Sequence, residues 1–67
     1  MNEVTNALEA ARIAQDYLSR EGIVVFKREI KSIHRDSMTW SVEIDSEKFT
    51  GTIIIKSKTG DVEKYEK

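Results

Sequence analysis

Residues 4–20 carry a helical pattern. Placed at about 100° per residue, Val4, Ala7, Leu8, Ala11, Ala14 and Leu18 fall on one stripe, with Thr5, Glu9, Arg12, Asp16 and Ser19 opposite. Ala10, Ile13 and Tyr17 widen the apolar arc beyond the roughly 100° that a surface helix needs to cover a core, so the helix is expected to lie across something broad, such as a sheet. Two starts are open: Asn2 can cap a helix beginning at Glu3, and Asn6-Ala7-Leu8-Glu9 reads as a variant of the capping box. At the other end Arg20 suits the helix dipole, and Gly22 can take the left-handed conformation that stops a helix.

From Ile23 onward the period changes from helical to alternating. Ile23-Val24-Val25-Phe26, followed by Ile30 and Ile33, predicts a first strand over 23–33. Strict alternation groups Val24, Phe26 and Ile30 but leaves Ile33 on the wrong face, which a β-bulge near Lys31-Ser32 would repair. His34-Arg35-Asp36-Ser37 reads as a turn. Residues 39–45 alternate without error, with Trp40, Val42 and Ile44 on one face and Thr39, Ser41, Glu43 and Asp45 on the other. Ser46-Glu47-Lys48 forms the next connection, and 49–57 is a third strand in which Ile53 and Ile55 share a face while Ile54 sides with Thr52 and Lys56. Lys58-Thr59-Gly60-Asp61 reads as a tight turn leading to a short charged edge strand over 62–65.

The expected fold class is therefore α+β: one N-terminal amphipathic helix packed on a three- to four-stranded antiparallel β-meander, a single domain over 1–67. One helix covers only one face of such a sheet. If Val24, Phe26, Trp40, Val42, Ile44, Ile53 and Ile55 lie beneath the helix, then Ile23, Val25 and Ile54 remain on the open face. An apolar cluster there marks a contact with another protein or with a second copy of the chain.

Length sharpens that expectation, because a chain of 67 residues buries only about 60% of its unfolded surface, so burial against a partner has a large relative effect. With no cysteine, disulfides and thiol chemistry are excluded. Residues 1–18 hold neither a cationic leader nor the apolar run of a signal peptide, which predicts a cytoplasmic chain that does not span a membrane.

Candidate chemistry is sparse. His34, the only histidine, has no second residue with which to form a catalytic pair and is expected in solvent. Asp36, Asp45 and Glu47 lack the dense alternation and central glycine of a calcium loop, and Gly22, Gly51 and Gly60 are too isolated to cradle a phosphate. No catalytic, cofactor-binding or metal-binding residue is expected, and the chain reads as non-enzymatic. Lys27, Arg28, Lys31 and Arg35 form the densest basic stretch, and Phe26 or Trp40 could stack on bases beside it, which gives nucleic-acid binding as the alternative. Eleven Lys and Arg against twelve Asp and Glu weigh against that alternative, since the net charge is −1.

Trp40-Ser41-Val42-Glu43-Ile44, the Ile53-Ile54-Ile55 strand and Thr59-Gly60-Asp61-Val62 together resemble the PepSY domain family. In that family a short helix precedes an antiparallel sheet with an aromatic-x-Val-x-hydrophobic strand and a later Thr-Gly turn. The resemblance covers about two-thirds of the chain. It implies the same fold, no catalytic motif, and a role in binding or regulating other proteins; PepSY domains have been proposed to regulate peptidases.

Overall fold

Asn6 starts the helix by leaving helical geometry itself while its side chain accepts a hydrogen bond from the Glu9 N–H at 2.9 Å. Glu9 reaches back over the same turn, where its Oε1 accepts from the Thr5 N–H at 2.8 Å and from Thr5 Oγ1 at 3.1 Å. Those two bonds, the backbone one first, hold the Glu9 carboxyl below its ordinary value of 4.5, helped by Asn6 and Arg12 and opposed by partial desolvation. In the computed structural model, which describes residues 3–66 and their side chains as far as Glu63, the helix α1 runs over Ala7–Arg20. Of the two starts open in the sequence this is the later one, and Asn2 lies outside the described residues. Replacing Asn6 by alanine strands the Glu9 N–H and is expected to cost about 1 kcal/mol, read as a lowered midpoint in urea denaturation.

The helix ends as its sequence predicts. Gly22, at φ +83°, lets its own N–H reach the Ser19 carbonyl at 3.0 Å and the Ile23 N–H reach the Leu18 carbonyl at 2.8 Å. That pair of reversed bonds is a Schellman cap, and it brings Ile23 to the core beside Leu18.

Four antiparallel strands follow in the order β1-β2-β3-β4: β1 Ile30–Arg35, β2 Thr39–Asp45, β3 Thr50–Lys56 and β4 Val62–Glu66. This is the α+β fold expected, with α1 on one face of an open four-stranded sheet. Trp40, Val42 and Ile44 of β2 and Ile53 and Ile55 of β3 are buried beneath Ala10, Ala14 and Leu18, with Phe49 and Val25 closing the same core. Alanine at positions 10, 11 and 14 brings the helix close to the sheet, where a larger side chain would hold the two layers apart.

The helix turns a different stripe to the sheet from the one the wheel predicted. Ala10, Ala11, Ala14 and Leu18 are buried, Ile13 and Tyr17 pack beside them, and Leu8 is 50% exposed with Ala7 also in solvent. Val4 misled the wheel, because it precedes the helix. It is buried ahead of the helix, its N–H on the Ser57 carbonyl and its carbonyl accepting from Trp40 Nε1 at 3.0 Å. With the stripe centred near Ala14, Leu8 lies about 120° around the helix from it.

The first strand needs a larger correction. Residues 23–26 are extended but join no strand, a 3-10 turn occupies Lys27–Glu29, and β1 begins only at Ile30. His34, expected in a turn, lies in β1 opposite Ser41, and the turn shrinks to Asp36, Ser37 and Met38. The proposed bulge is present: Ile30 pairs with Ile44 and Ser32 with Glu43, so Lys31 is the extra residue that returns Ile33 to the helix side opposite Val42. On the other edge Ile55 pairs with Val62 and Ile54 with Lys64, leaving Glu63 as the extra residue.

At the β3–β4 turn Gly60 takes φ +79°, and its N–H bonds the Lys56 carbonyl at 2.8 Å. Ser57, the one buried polar residue among those described, donates from both N–H and Oγ to the Met38 carbonyl. It thereby ties the β1–β2 turn to the segment that holds Val4. Among the described residues, no buried side-chain nitrogen or oxygen lacks a hydrogen-bond partner.

Candidate interaction surface

The open face of the sheet is more polar than the sequence implied. Ser32, His34, Thr39, Ser41, Glu43, Asp45, Thr50, Thr52 and Lys56 occupy it, and Ser32 Oγ donates across β1 and β2 to Glu43 Oε1 at 2.8 Å. Ile54 stands there half-buried, opposite Ser41, without the two apolar neighbours expected beside it. Val25 is instead 4% exposed within the core, and Ile23 is half-buried against it. The predicted trio Ile23, Val25 and Ile54 is therefore not one surface.

The reason is a phase error of one residue. A period of two carried back from β2 crosses a bulge and a 3-10 turn, and either is enough to break it. The correct phase comes from the other side: the helix cap fixes Ile23 against Leu18, so Val25 is the next residue to point inward and Val24 and Phe26 point out. Val24 is 54% exposed and Phe26 51%. The Schellman rule, which pairs the residue after the glycine with the helix's last apolar residue, was the signal in the sequence that could have found this pair.

The segment is held without being sealed. Gln15 Nε2 donates to the Val25 carbonyl at 2.9 Å, and the Phe26 N–H donates to Glu29 Oε1 at 2.9 Å while its carbonyl accepts from the Glu29 N–H. The Arg28 guanidinium lies 4.9 Å from the centre of the Phe26 ring, within cation–π range, so one face of that ring already has a cation on it.

The basic stretch is divided. Lys27 and Arg28 sit in the 3-10 turn next to Phe26, and Lys31 projects from the bulge that follows. Arg35 is carried to the far end of β1, where its guanidinium lies 5.4 Å from the Trp40 ring. That Trp40 ring is 7% exposed and donates its N–H to Val4, so it packs as core and offers no face to a base.

Two further regions complete the surface. A groove of about 690 Å³ runs between α1 and the β3–β4 turn, lined by Val4, Ile13, Tyr17 and Val62 among charged residues of both signs. Leu8 and Met38 are exposed singly. Asp36 and Asp45 fall at opposite ends of β2, and among the described residues no three His, Asp or Glu side chains converge as metal ligands would. No helix among the described residues is long and apolar enough to cross a membrane.

Comparison of the chain with models of protein families, with curated proteins and with solved structures finds no match to any of them.

Proposed function

We propose that this chain is a small non-enzymatic module that binds or regulates another protein, and that its contact surface is the extended segment at residues 23–26. One observation carries the reading: two large apolar side chains, Val24 and Phe26, stand half in water on a short stretch anchored to the body at both ends. Paired apolar exposure on a firm backbone is what an interface uses, since little ordering entropy is lost on docking and an aromatic supplies most of the contact. For its class the reading also draws on the resemblance of Trp40 to Ile44 and Thr59 to Val62 to PepSY domains. The polar open face, with Ile54 alone on it, offers much less.

Phe26→Asp and Ile54→Asp separate the two surfaces. Both side chains lie outside the closed core, so each variant is expected to keep the parent's far-ultraviolet circular dichroism. Proteins captured from an extract of the source cells by the tagged parent should be lost with Phe26→Asp and kept with Ile54→Asp. Equal capture by parent and Phe26→Asp, or loss with Ile54→Asp alone, would sink the assignment.

Exposed Phe26 beside Lys27, Arg28 and Lys31 also favours a second reading, in which that end of the molecule binds single-stranded nucleic acid. An oligonucleotide titration discriminates, because phosphate contacts weaken steeply as salt rises. The net charge of −1 and the separation of Arg35 from the other three basic residues place this reading second.

A further inference from the structure

Backbone register decides which groups the last strand turns outward. Along a strand the N–H and C=O of one residue point to the same side, and successive residues alternate between the two sides. In β3, Lys56 turns both toward β4, its N–H donating to the Asp61 carbonyl and its carbonyl accepting from the Gly60 N–H. Ile54 and Thr52, further back along β3 on the same alternation, therefore face β4 as well, and they pair with Lys64 and Glu66. Tyr65 lies between those two in regular strand. Its own N–H and carbonyl thus point to the outer edge, where the sheet has no further strand.

We propose that β4 pairs there with the β4 of a second copy of this chain, antiparallel about a two-fold axis at Tyr65, each copy's Tyr65 N–H donating to the other's Tyr65 carbonyl. Two four-stranded sheets thereby join into one, with both helices on the same side. This edge is separate from the surface at residues 23–26, and the proposal does not rest on the reading of that surface.

Charge names both the occupant and the register. A two-fold axis perpendicular to the sheet sets one residue against itself and its neighbours against each other in reverse order. Under that operation Glu63-Lys64-Tyr65-Glu66-Lys67 is its own complement. About Tyr65, Lys64 of each copy comes opposite Glu66 of the other, and Glu63 opposite Lys67, which lies outside the described residues. Opposite charges directly across a strand pair attract, and like charges repel. Centring on Glu63, Lys64 or Glu66 sets a charge against its own copy, and centring on Val62 sets Asp61 against Glu63. Tyr65 is the one centre in β4 that opposes no like charges, and its backbone groups are already turned outward.

The other edge of the sheet lacks this property. The charged residues of β1 are Lys31 and Arg35, both cationic, so no register of β1 with itself pairs opposite charges. In β4 the bulge at Glu63 breaks the regular backbone on the side of the turn, which confines undistorted pairing to Lys64, Tyr65 and Glu66.

So short a contact makes a weak dimer, with an expected dissociation constant on the order of 0.1 mM. Sedimentation equilibrium of the purified chain between about 10 µM and 1 mM should show a reversible monomer–dimer equilibrium. Lys64→Glu should weaken it about 10-fold, because attraction becomes repulsion at two symmetric sites. Combining Lys64→Glu with Glu66→Lys should restore it. Tyr65→Pro removes an N–H that faces away from β3, so it should abolish the dimer with far-ultraviolet circular dichroism unchanged. In amide exchange the Tyr65 N–H should gain protection as concentration rises. Phe26→Asp should dimerise as the parent does. A chain monomeric throughout that range overturns the pairing, as does a dimer that is indifferent to Lys64→Glu, is not restored by the double exchange, or is lost with Phe26→Asp. Where Tyr65→Pro alters the circular dichroism, the charge exchanges decide.

Discussion

Truncating Ile53 to alanine is expected to remove a large part of the stability of this chain. Ile53 is fully buried, lies in β3 between β2 and β4, and packs opposite Val42 under the helix. Deleting that much side chain from a core costs about 2–5 kcal/mol, the upper part of the range applying where the surroundings cannot collapse into the gap. A strand paired on both sides has little freedom to collapse. Folded domains hold about 0.05–0.15 kcal/mol per residue, which for a chain of this length is roughly 3–10 kcal/mol in total. Urea denaturation followed by Trp40 fluorescence reads the loss, and Ile54→Ala supplies the contrast. Ile54 sits one residue away on the polar face, so its truncation should move the midpoint far less. Equal shifts for the two variants would contradict the assignment of faces.

Trp40→Phe is expected to have the next largest effect, about 1–3 kcal/mol, and to act at a distance along the chain. The ring is retained, but the Nε1–H that donates to the Val4 carbonyl at 3.0 Å is lost, leaving an acceptor in a buried segment without its partner. Val4 is otherwise fastened by its N–H on the Ser57 carbonyl. Amide exchange measured residue by residue should show the Val4 N–H losing protection before the β2 and β3 ladder does. An unchanged rate at Val4 would mean that the indole bond does not anchor this segment.

Much of the architecture was legible because several residues permit one geometry only. Gly22 and Gly60 marked left-handed positions, Arg20 marked a last helical turn, and the uninterrupted alternation of residues 39–45 gave β2 to the residue. Even the bulge at Lys31 could be derived, since Ile30 and Ile33 cannot share a face without one.

The candidate surface was less legible, for a reason of the same kind. Periodicity gives a face only relative to a reference residue, and neither Val4 nor Ile30 is in phase with the segment it would define. Val4 fits the helical period yet precedes the cap at Asn6, which rotates the expected stripe onto Leu8. Ile30 alternates in step with Phe26 yet a 3-10 turn separates them, which exchanges Val24 and Phe26 for Val25. The hydrogen bond that places Val4, from the Trp40 indole, joins positions far apart in the sequence and no local pattern encodes it, whereas the phase of Val24 and Phe26 follows from the local cap at Gly22.

The fastening of Val4 also bears on the order of events as the chain is made. Its two partners, the Trp40 indole and the Ser57 carbonyl, are separated from it by most of the polypeptide. A ribosome delivers residues from the amino end, so the helix emerges long before either partner exists. Until β2 has cleared the exit tunnel the segment around Val4 has neither partner, and until Ser57 follows it has only the indole.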